Sequence, residues 1–533
     1  MKRLTASSRQ QGVAALVLVA LLLLGGAVFA FSSFSFTTVR VDRDRNTNEA
    51  LARAKDALIA YAVADTARPG ELPCPDVNND GKVTLGEDMI GSACVSLIGR
   101  LPWSTLGLPD LRDDAGERLW YALSNDFHAN GTVPLNSDTA YLATNVSLTL
   151  TGTTPATNLV AIVFSPGAAL TRSDGVVQTR GCTGGAGAGC DATLKCTSAP
   201  ASNTDKCNAV NYLDLTAGED NANLVNRIFV SAPRSETFND RPVPLYSDDI
   251  MQIVERRAAR QLAQHLRDHF DAWQNSTVVG GANKGFYPYA VPWGDPSAGA
   301  QAGTNGTTSG LLPLSTAPLT WSNATPVVCT GNGTPTLECS GLVVCILGIC
   351  VPGSVSAQID NVATRFTDPP QAANFQLLGL GLGGGHSWTL NKAARRLEFN
   401  YSGILVAGFL DIRVTAPATS SWVNGWLGDN NWHQNAYYAF SPGYAIDGND
   451  SCGGPTTCFT IANTAAPNNQ KEALVVMTGR ALPQASPVQD ARPITAPAPA
   501  AQFLEGANAA MTLVFEHGAR TASFNDTPVA VRP

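Results

Sequence analysis

The sequence predicts an α+β chain in which a long amino-terminal transmembrane helix leads into a duplicated helix-plus-antiparallel-sheet body, loop-rich and stapled by disulfides. Three observations carry that expectation. An uncharged apolar run occupies residues 13–31, several motifs occur twice in the same order, and twelve cysteines fall in close sequence pairs. Of 533 residues 44% are hydrophobic and 15% charged, which is enough for two or three packed domains and too apolar for a disordered chain. The 49 Gly and 33 Pro favour loops and short strands through the middle and end. A net charge of −8 supplies no basic field for phosphate backbones, so nucleic acid is not expected as a partner.

Lys2, Arg3 and Arg9 precede the run from Val13 to Phe31. At 1.5 Å per helical residue that run would span roughly 29 Å, the thickness of a bilayer core. By the positive-inside rule the cations stay cytoplasmic and the remainder is exported. A secretory signal cleaved after Ala30 accounts for the same residues, Val28 and Ala30 being small. A second helix follows within about fifteen residues. Asn46 and Glu49 have the spacing of a capping box, and Leu51, Ala54, Leu58 and Ala62 recur on one face.

A short basic leader ending in Gln11-Gly12, then an apolar helix running into an amphipathic one, resembles the amino terminus of type IV pilins and type II secretion pseudopilins. The resemblance implies cleavage by a prepilin peptidase between Gly12 and Val13 and methylation of the new terminus. It also implies a single-pass anchor in a bacterial inner membrane, with the bulk of the chain in the periplasm or on a filament, and other pilin or pseudopilin subunits as partners. Most such subunits carry Glu at the fifth mature position, which here is Val17. Minor subunits of the tip class often lack it. The implied function is therefore structural and non-enzymatic, a minor component of a type IV pilus or type II secretion apparatus that assembles through its amino-terminal helix. The string LPCP…GRLPW…TLGLPD…RLWYALS, between residues 72 and 124, also looks like the soluble region of pseudopilin-like bacterial proteins. The alternative is an anchored or secreted adhesin, a glycan-binding module.

Internal repetition sets the expected organisation. IGRLPWSTLGL at 98–108 returns as SGLLPLSTAPL at 309–319, VFSPGAAL at 163–170 as AFSPGYAI at 439–446, and ETFNDRPVPL at 236–245 as ASFNDTPVAV at 522–531. A helix is expected upstream of each copy, at 47–64 and at 248–273, the second with Ile250, Val254, Leu262, Leu266 and Phe270 on one stripe. The expected parts are a leader at 1–12, helices over 13–65, a first unit at 66–247 and a second at 248–533, with a Pro/Ala-rich extended surface insertion at 482–501. RLEFNYSGILVAGFLDIRV at 396–414 reads as two strands around Ser402-Gly403.

The cysteines pair by proximity: Cys74 with Cys94, Cys182 with Cys190, Cys196 with Cys207, Cys329 with Cys339, Cys345 with Cys350 and Cys452 with Cys458. None has the C-x2-C spacing of a zinc knuckle, so disulfides and an oxidising compartment are expected. DVNNDGKVTLGE at 76–87 fits a calcium loop, with Asp76, Asn78, Asp80 and Glu87 as oxygen ligands, the Lys82 carbonyl as another and Gly81 at the turn; a solvated Asx-rich turn accounts for the same residues. Any such calcium would be structural.

Other motifs read as architecture. GLGLGGGHS at 379–387 lacks the strand before and helix after that a dinucleotide site needs. His265 and His269 share a helix face but have no third ligand, which makes surface histidines the expectation. Trp422, Trp426, Trp432, Tyr437, Tyr438 and Phe440 could stack on sugars, and core filling is favoured over that. No nucleophile elbow or catalytic cysteine stands out.

Overall fold

The computed structural model describes residues 19, 21, 22, 44–128, 134–142, 145–180, 208–274, 285–291, 307–312, 425–445, 448–452, 458–465, 470–485, 488–490 and 499–532, together with the backbone of eleven strands between 319 and 414. Gly12 and Val13 lie outside these residues, as do Cys182, Cys190, Cys196 and Cys207. Of the run 13–31 only Val19, Leu21 and Leu22 are described, helical and exposed. Among the described residues no helix is long and apolar enough to cross a membrane. That finding overturns the expected transmembrane helix, and with it the single-pass inner-membrane placement and the membrane-borne pilin-type assembly.

Both long helices are amphipathic instead. Helix α1, residues 44–64, buries Leu51, Ala54, Leu58 and Ala62 and turns its charged residues outward. Asn46 lies inside this helix rather than capping it, and its neighbour Arg45 pairs with Glu49 one turn on. Helix α2, Ser247–Gln274, buries Ile250, Val254, Leu262, Leu266 and Phe270. Its first half also carries Asp248, Asp249, Glu255, Arg256, Arg257 and Arg260, a density of charge that hydrocarbon does not accept.

The chain forms two compact units. Unit 1 is Met1–Tyr61, Leu72–Ala129 and Val146–Tyr246; unit 2 is Ala62–Glu71, Asn130–Asn145 and Ser247–Pro533. Unit 1 holds β1 (Ile98–Arg100), β2 (Trp120–Leu123), β3 (Leu148–Gly152), β4 (Ala156–Ser165), β5 (Ile228–Ser231) and β6 (Arg241–Tyr246). Strand β4 pairs antiparallel with β2 and β3 on one edge and with β6 on the other, β1 extends the sheet beyond β2, and β5 runs parallel to β3. A strand so enclosed reads as a continuous apolar run, here LVAIVF at 159–164, every residue of it buried.

Unit 2 repeats the plan. It begins with β7 (Ser309–Leu311) and then carries β8 (Leu319–Ser322), β9 (Val328–Gly331), β10 (Thr336–Ser340), β11 (Val343–Ile346), β12 (Ile349–Pro352), β13 (Ser356–Asp360), β14 (Asn374–Leu377), β15 (Leu380–Leu382), β16 (His386–Asn391), β17 (Arg396–Tyr401) and β18 (Val406–Val414). The plan resumes at β19 (Ala436–Phe440), β20 (Thr460–Ala462), β21 (Ala473–Met477), β22 (Val514–Glu516) and β23 (Thr527–Ala530). The order β7-β19-β21-β23 matches β1-β2-β4-β6, and β20 lies parallel to β22 as β3 does to β5.

The equivalence is residue by residue. Arg100 opposes Trp120, which opposes Phe164; Leu311 opposes Tyr437, which opposes Val476. Hence YPYA at 287–290 stands where LPCP stands at 72–75, since Leu72 donates to the Phe127 carbonyl and Tyr287 to that of Tyr444, 3.0 and 2.9 Å. One sequence match is corrected. VFSPG at 163–167 ends β4, whereas AFSPG at 439–443 ends β19, the counterpart of β2; the true counterpart of Ser165-Pro166-Gly167 is Met477-Thr478-Gly479. Both glycines have positive φ, +61° and +60°, and a Cβ on either would lie 2.7 or 2.5 Å from the side chain of Asn239 or Asn525.

A buried polar node is likewise built twice. In unit 1 Asp214 accepts the backbone N–H of Asn239 (2.6 Å) and Asp240 (3.1 Å) and the Gln178 amide (2.9 Å), while Asp240 accepts the Asp214 N–H (2.7 Å) and the Asn221 amide (2.9 Å). In unit 2 Glu505 accepts the N–H of Asn525 (2.9 Å) and Asp526 (3.2 Å) and the Gln489 amide (2.6 Å), while Asp526 accepts the Glu505 N–H (2.9 Å) and the Asn508 amide (3.0 Å). Gln178 also receives the Leu170 N–H, and Gln489 that of Leu482. Of the stretch 482–501 the structure describes 482–485, 488–490 and 499–501, which are in part turned inward. Leu482, Gln489 and Ala500 are buried, and they match Leu170, Gln178 and Ala209.

Two measurements check this account. Gly167→Ala and Gly479→Ala should each lower the unfolding free energy by about 1–3 kcal/mol, read from denaturant melts, because each position combines positive φ with no room for a Cβ. Burial raises the Asp214 carboxyl; burial and then the neighbouring Asp214 charge push Asp240 well up. With folded values above the unfolded ones, stability is full below the unfolded carboxylate pKa and falls as pH rises through the folded values. Asp240→Asn keeps the acceptor oxygen and removes the titration, so its stability relative to the parent should increase as pH rises above the ordinary carboxylate range.

Candidate functional site

The loop with the richest chemistry leaves the edge of the unit 1 sheet at Asp76, whose backbone exchanges two hydrogen bonds with Arg100, and is closed by the Cys74–Cys94 disulfide. Asp76 is almost wholly buried. Its carboxylate accepts the N–H groups of Asn78 (3.1 Å), Asn79 (2.6 Å) and Gly81 (2.7 Å), and Gly81, at φ +83°, lies so close to the Trp103 ring that a Cβ would clash. Asp80 accepts the Lys82 N–H at 2.8 Å, Glu87 accepts from Asn78 and Thr84 at 2.8 Å each, and Asp88 holds the amides of Val77 and Thr84 at 2.9 Å each. Burial pushes the Asp76 carboxyl up to about 6, opposed by the Gly81 amide and reinforced by Asp88. The expected calcium positions Asp76, Asn78, Asp80 and Glu87 are thus brought into one turn, where their side-chain oxygens accept hydrogen bonds from the loop's own groups.

Among the described residues, the set of three His, Cys, Asp or Glu ligand atoms that gather within 4.8 Å is Cys74, Cys94 and His128. The Leu72 carbonyl, which can only accept, lies 2.7 Å from His128 Nδ1, so that nitrogen carries the hydrogen. A bridged cysteine pair offers no thiolate. The group is a cystine beside a buried imidazole, not a metal-ligand set. Of the other expected pairs, Cys452 is bonded to Cys458, and Cys329 with Cys339 and Cys345 with Cys350 occupy directly opposed positions across antiparallel strands.

The aromatic stretch of unit 2 is core. Trp426, Trp432, Tyr437, Tyr438 and Phe440 are buried, the two indoles meet edge to face at 6.0 Å, and Trp426 Nε1 donates to Gln261 at 3.0 Å. These five described side chains present no flat aromatic surface to a sugar; Trp422 lies outside the described residues. His269 is not on the surface as expected. It is buried edge-on to Phe286, and burial holds it down to about 3, so it stays neutral in the fold; His433 is likewise held down to about 4.

The sequence gives little warning of an ion cluster on α2. Glu255 is fully buried; it accepts the Ser137 hydroxyl at 2.9 Å and pairs with Arg520, which also reaches Asp248 at 3.4 Å. Tyr141 donates to Asp248 at 2.7 Å, and Arg480 stands 3.5 Å from the same carboxylate. The only available signal is an acid placed beside the apolar stripe at Val254 and Ala258. Burial lowers the Arg520 pKa, but Glu255, Tyr141 and Asp248 more than offset it and keep the guanidinium charged. Glu255 so neutralised is no general base, and Ser137 has a carboxylate rather than an imidazole as its partner. The cluster is a lock.

Removing one partner of the lock should be far worse than removing both. Arg520→Met leaves Glu255 buried and uncompensated and should cost about 3–5 kcal/mol in a denaturant melt, whereas adding Glu255→Met should restore most of it.

No family model, no curated protein and no solved structure matches this chain.

Proposed function

We propose that the chain is a non-catalytic structural component that works by assembling with other protein subunits. It is of the minor, pseudopilin-like kind that its LPCP…RLWYALS string resembles. One observation carries this reading: a single backbone plan is built twice, and its chemistry-bearing groups are engaged in holding loops. The paired acids accept amides, Glu255 is neutralised by Arg520, His128 abuts a closed cystine, and the aromatic side chains fill cores. What both copies leave outward at the same place is apolar. Val177 and Val488, each one residue before the locking glutamine, are both 62% exposed. A repeated surface suits a component that meets neighbours, and the reading draws on the duplicated body alone.

The test is co-expression of the full chain with a set of pseudopilin subunits, followed by purification. A defined hetero-complex is expected, and Val177→Asp with Val488→Asp should weaken it at least tenfold while leaving the melt unchanged. Absence of any complex overturns the reading. So does turnover of an ester, glycoside or peptide substrate that survives purification and vanishes with one substitution.

A further inference from the structure

Unit 1 connects β1 to β2 through residues 101–119; unit 2 makes the same connection, β7 to β19, through residues 312–435. The longer connection contains a four-stranded antiparallel sheet, β8-β18-β17-β16, a five-stranded one, β9-β10-β13-β14-β15, and the hairpin β11–β12. Because directly opposed residues share a face and successive residues alternate, the register sorts every position.

In the four-stranded sheet Trp388 opposes Phe399, Leu397 opposes Leu410, and Trp321 opposes Ile412, all on one face. The other face carries Thr389 opposite Glu398, Asn400 opposite Ala407, and Thr320 opposite Arg413, with Phe409 as its large apolar exception. The five-stranded sheet divides the same way. Leu337 opposes Ile359, and Cys339, Ala357, Phe375 and Leu382 follow in one row; Glu338, Gln358 and Asn374 make the alternate row. Each sheet is therefore one-sided. A one-sided antiparallel sheet must cover its apolar face, and two such sheets on one stretch of chain satisfy each other at the usual spacing of about 10 Å.

We propose that the two described sheets between 319 and 414 form a sandwich, a domain inserted into unit 2, in which the apolar face of the four-stranded sheet is covered by that of the five-stranded sheet. The first copy has no counterpart to it, and the core sheet of unit 2 does not require it. The inference goes beyond the proposed function and stands or falls separately from it.

Hydrogen exchange on the full chain tests the sandwich. Leu410→Asp should strip protection from strands of both sheets, Leu337→Asp should do the same from the other side, and Asn400→Asp and Gln358→Glu should leave protection within twofold of the parent. Loss confined to the sheet that carries the substitution overturns the proposal. So does loss from Leu410→Asp that appears in β19 and β21 instead of the five-stranded sheet. Replacing residues 313–424 by the unit 1 segment 102–107 should leave β19 and β21 protected; their loss would overturn the claim that the insertion is separate.

Discussion

In each unit two carboxylates accept each other's backbone N–H: Asp214 and Asp240 in the first, Glu505 and Asp526 in the second. A buried carboxylate without donors is costly, and a buried amide without an acceptor costs nearly as much, so each group is acceptable only because the other is in place. The reciprocal pair fixes the short segment before the last strand against the 3-10 turn that ends at Leu213 or Leu504. Gln178 or Gln489 then ties in the loop after the central strand, and Asn221 or Asn508 ties in the parallel strand by bonding Val230 or Glu516. Four separate pieces of chain converge on one point.

That constraint bears on function. Among the described residues the paired acids accept backbone amides, Glu255 pairs with an arginine and a serine, and the loop carboxylates hold their own turn. Sheet edges are treated with similar economy. The outermost strands β6 and β23 carry Pro242 and Pro528 at matching places, which denies a further strand a backbone donor there.

Much of this was legible in the residues. The helical stripes of α1 and α2, the two strands around Ser402-Gly403 and the duplication itself all follow from local periodicity and repeated motifs, because those signals lie within a few residues of each other. The misreadings have a common cause. SPG at 165–167 and at 441–443 looks like one motif, but strand pairing places them at the ends of different strands. Proline and alanine around 482–501 suggested a surface, yet Gln489 reaches inward to Glu505. His269 shares a helix with charged neighbours and turns toward Phe286.

The sequence by itself determined that α1 and α2 are amphipathic helices, that 396–414 is extended and that motifs of the body recur, since hydrophobic periodicity and turn chemistry act locally. Tertiary structure alone decided which copies of a motif are equivalent, which acids face one another and which aromatics are core. Those outcomes depend on burying groups distant in sequence beside partners that satisfy them, and spacing along the chain carries no record of that.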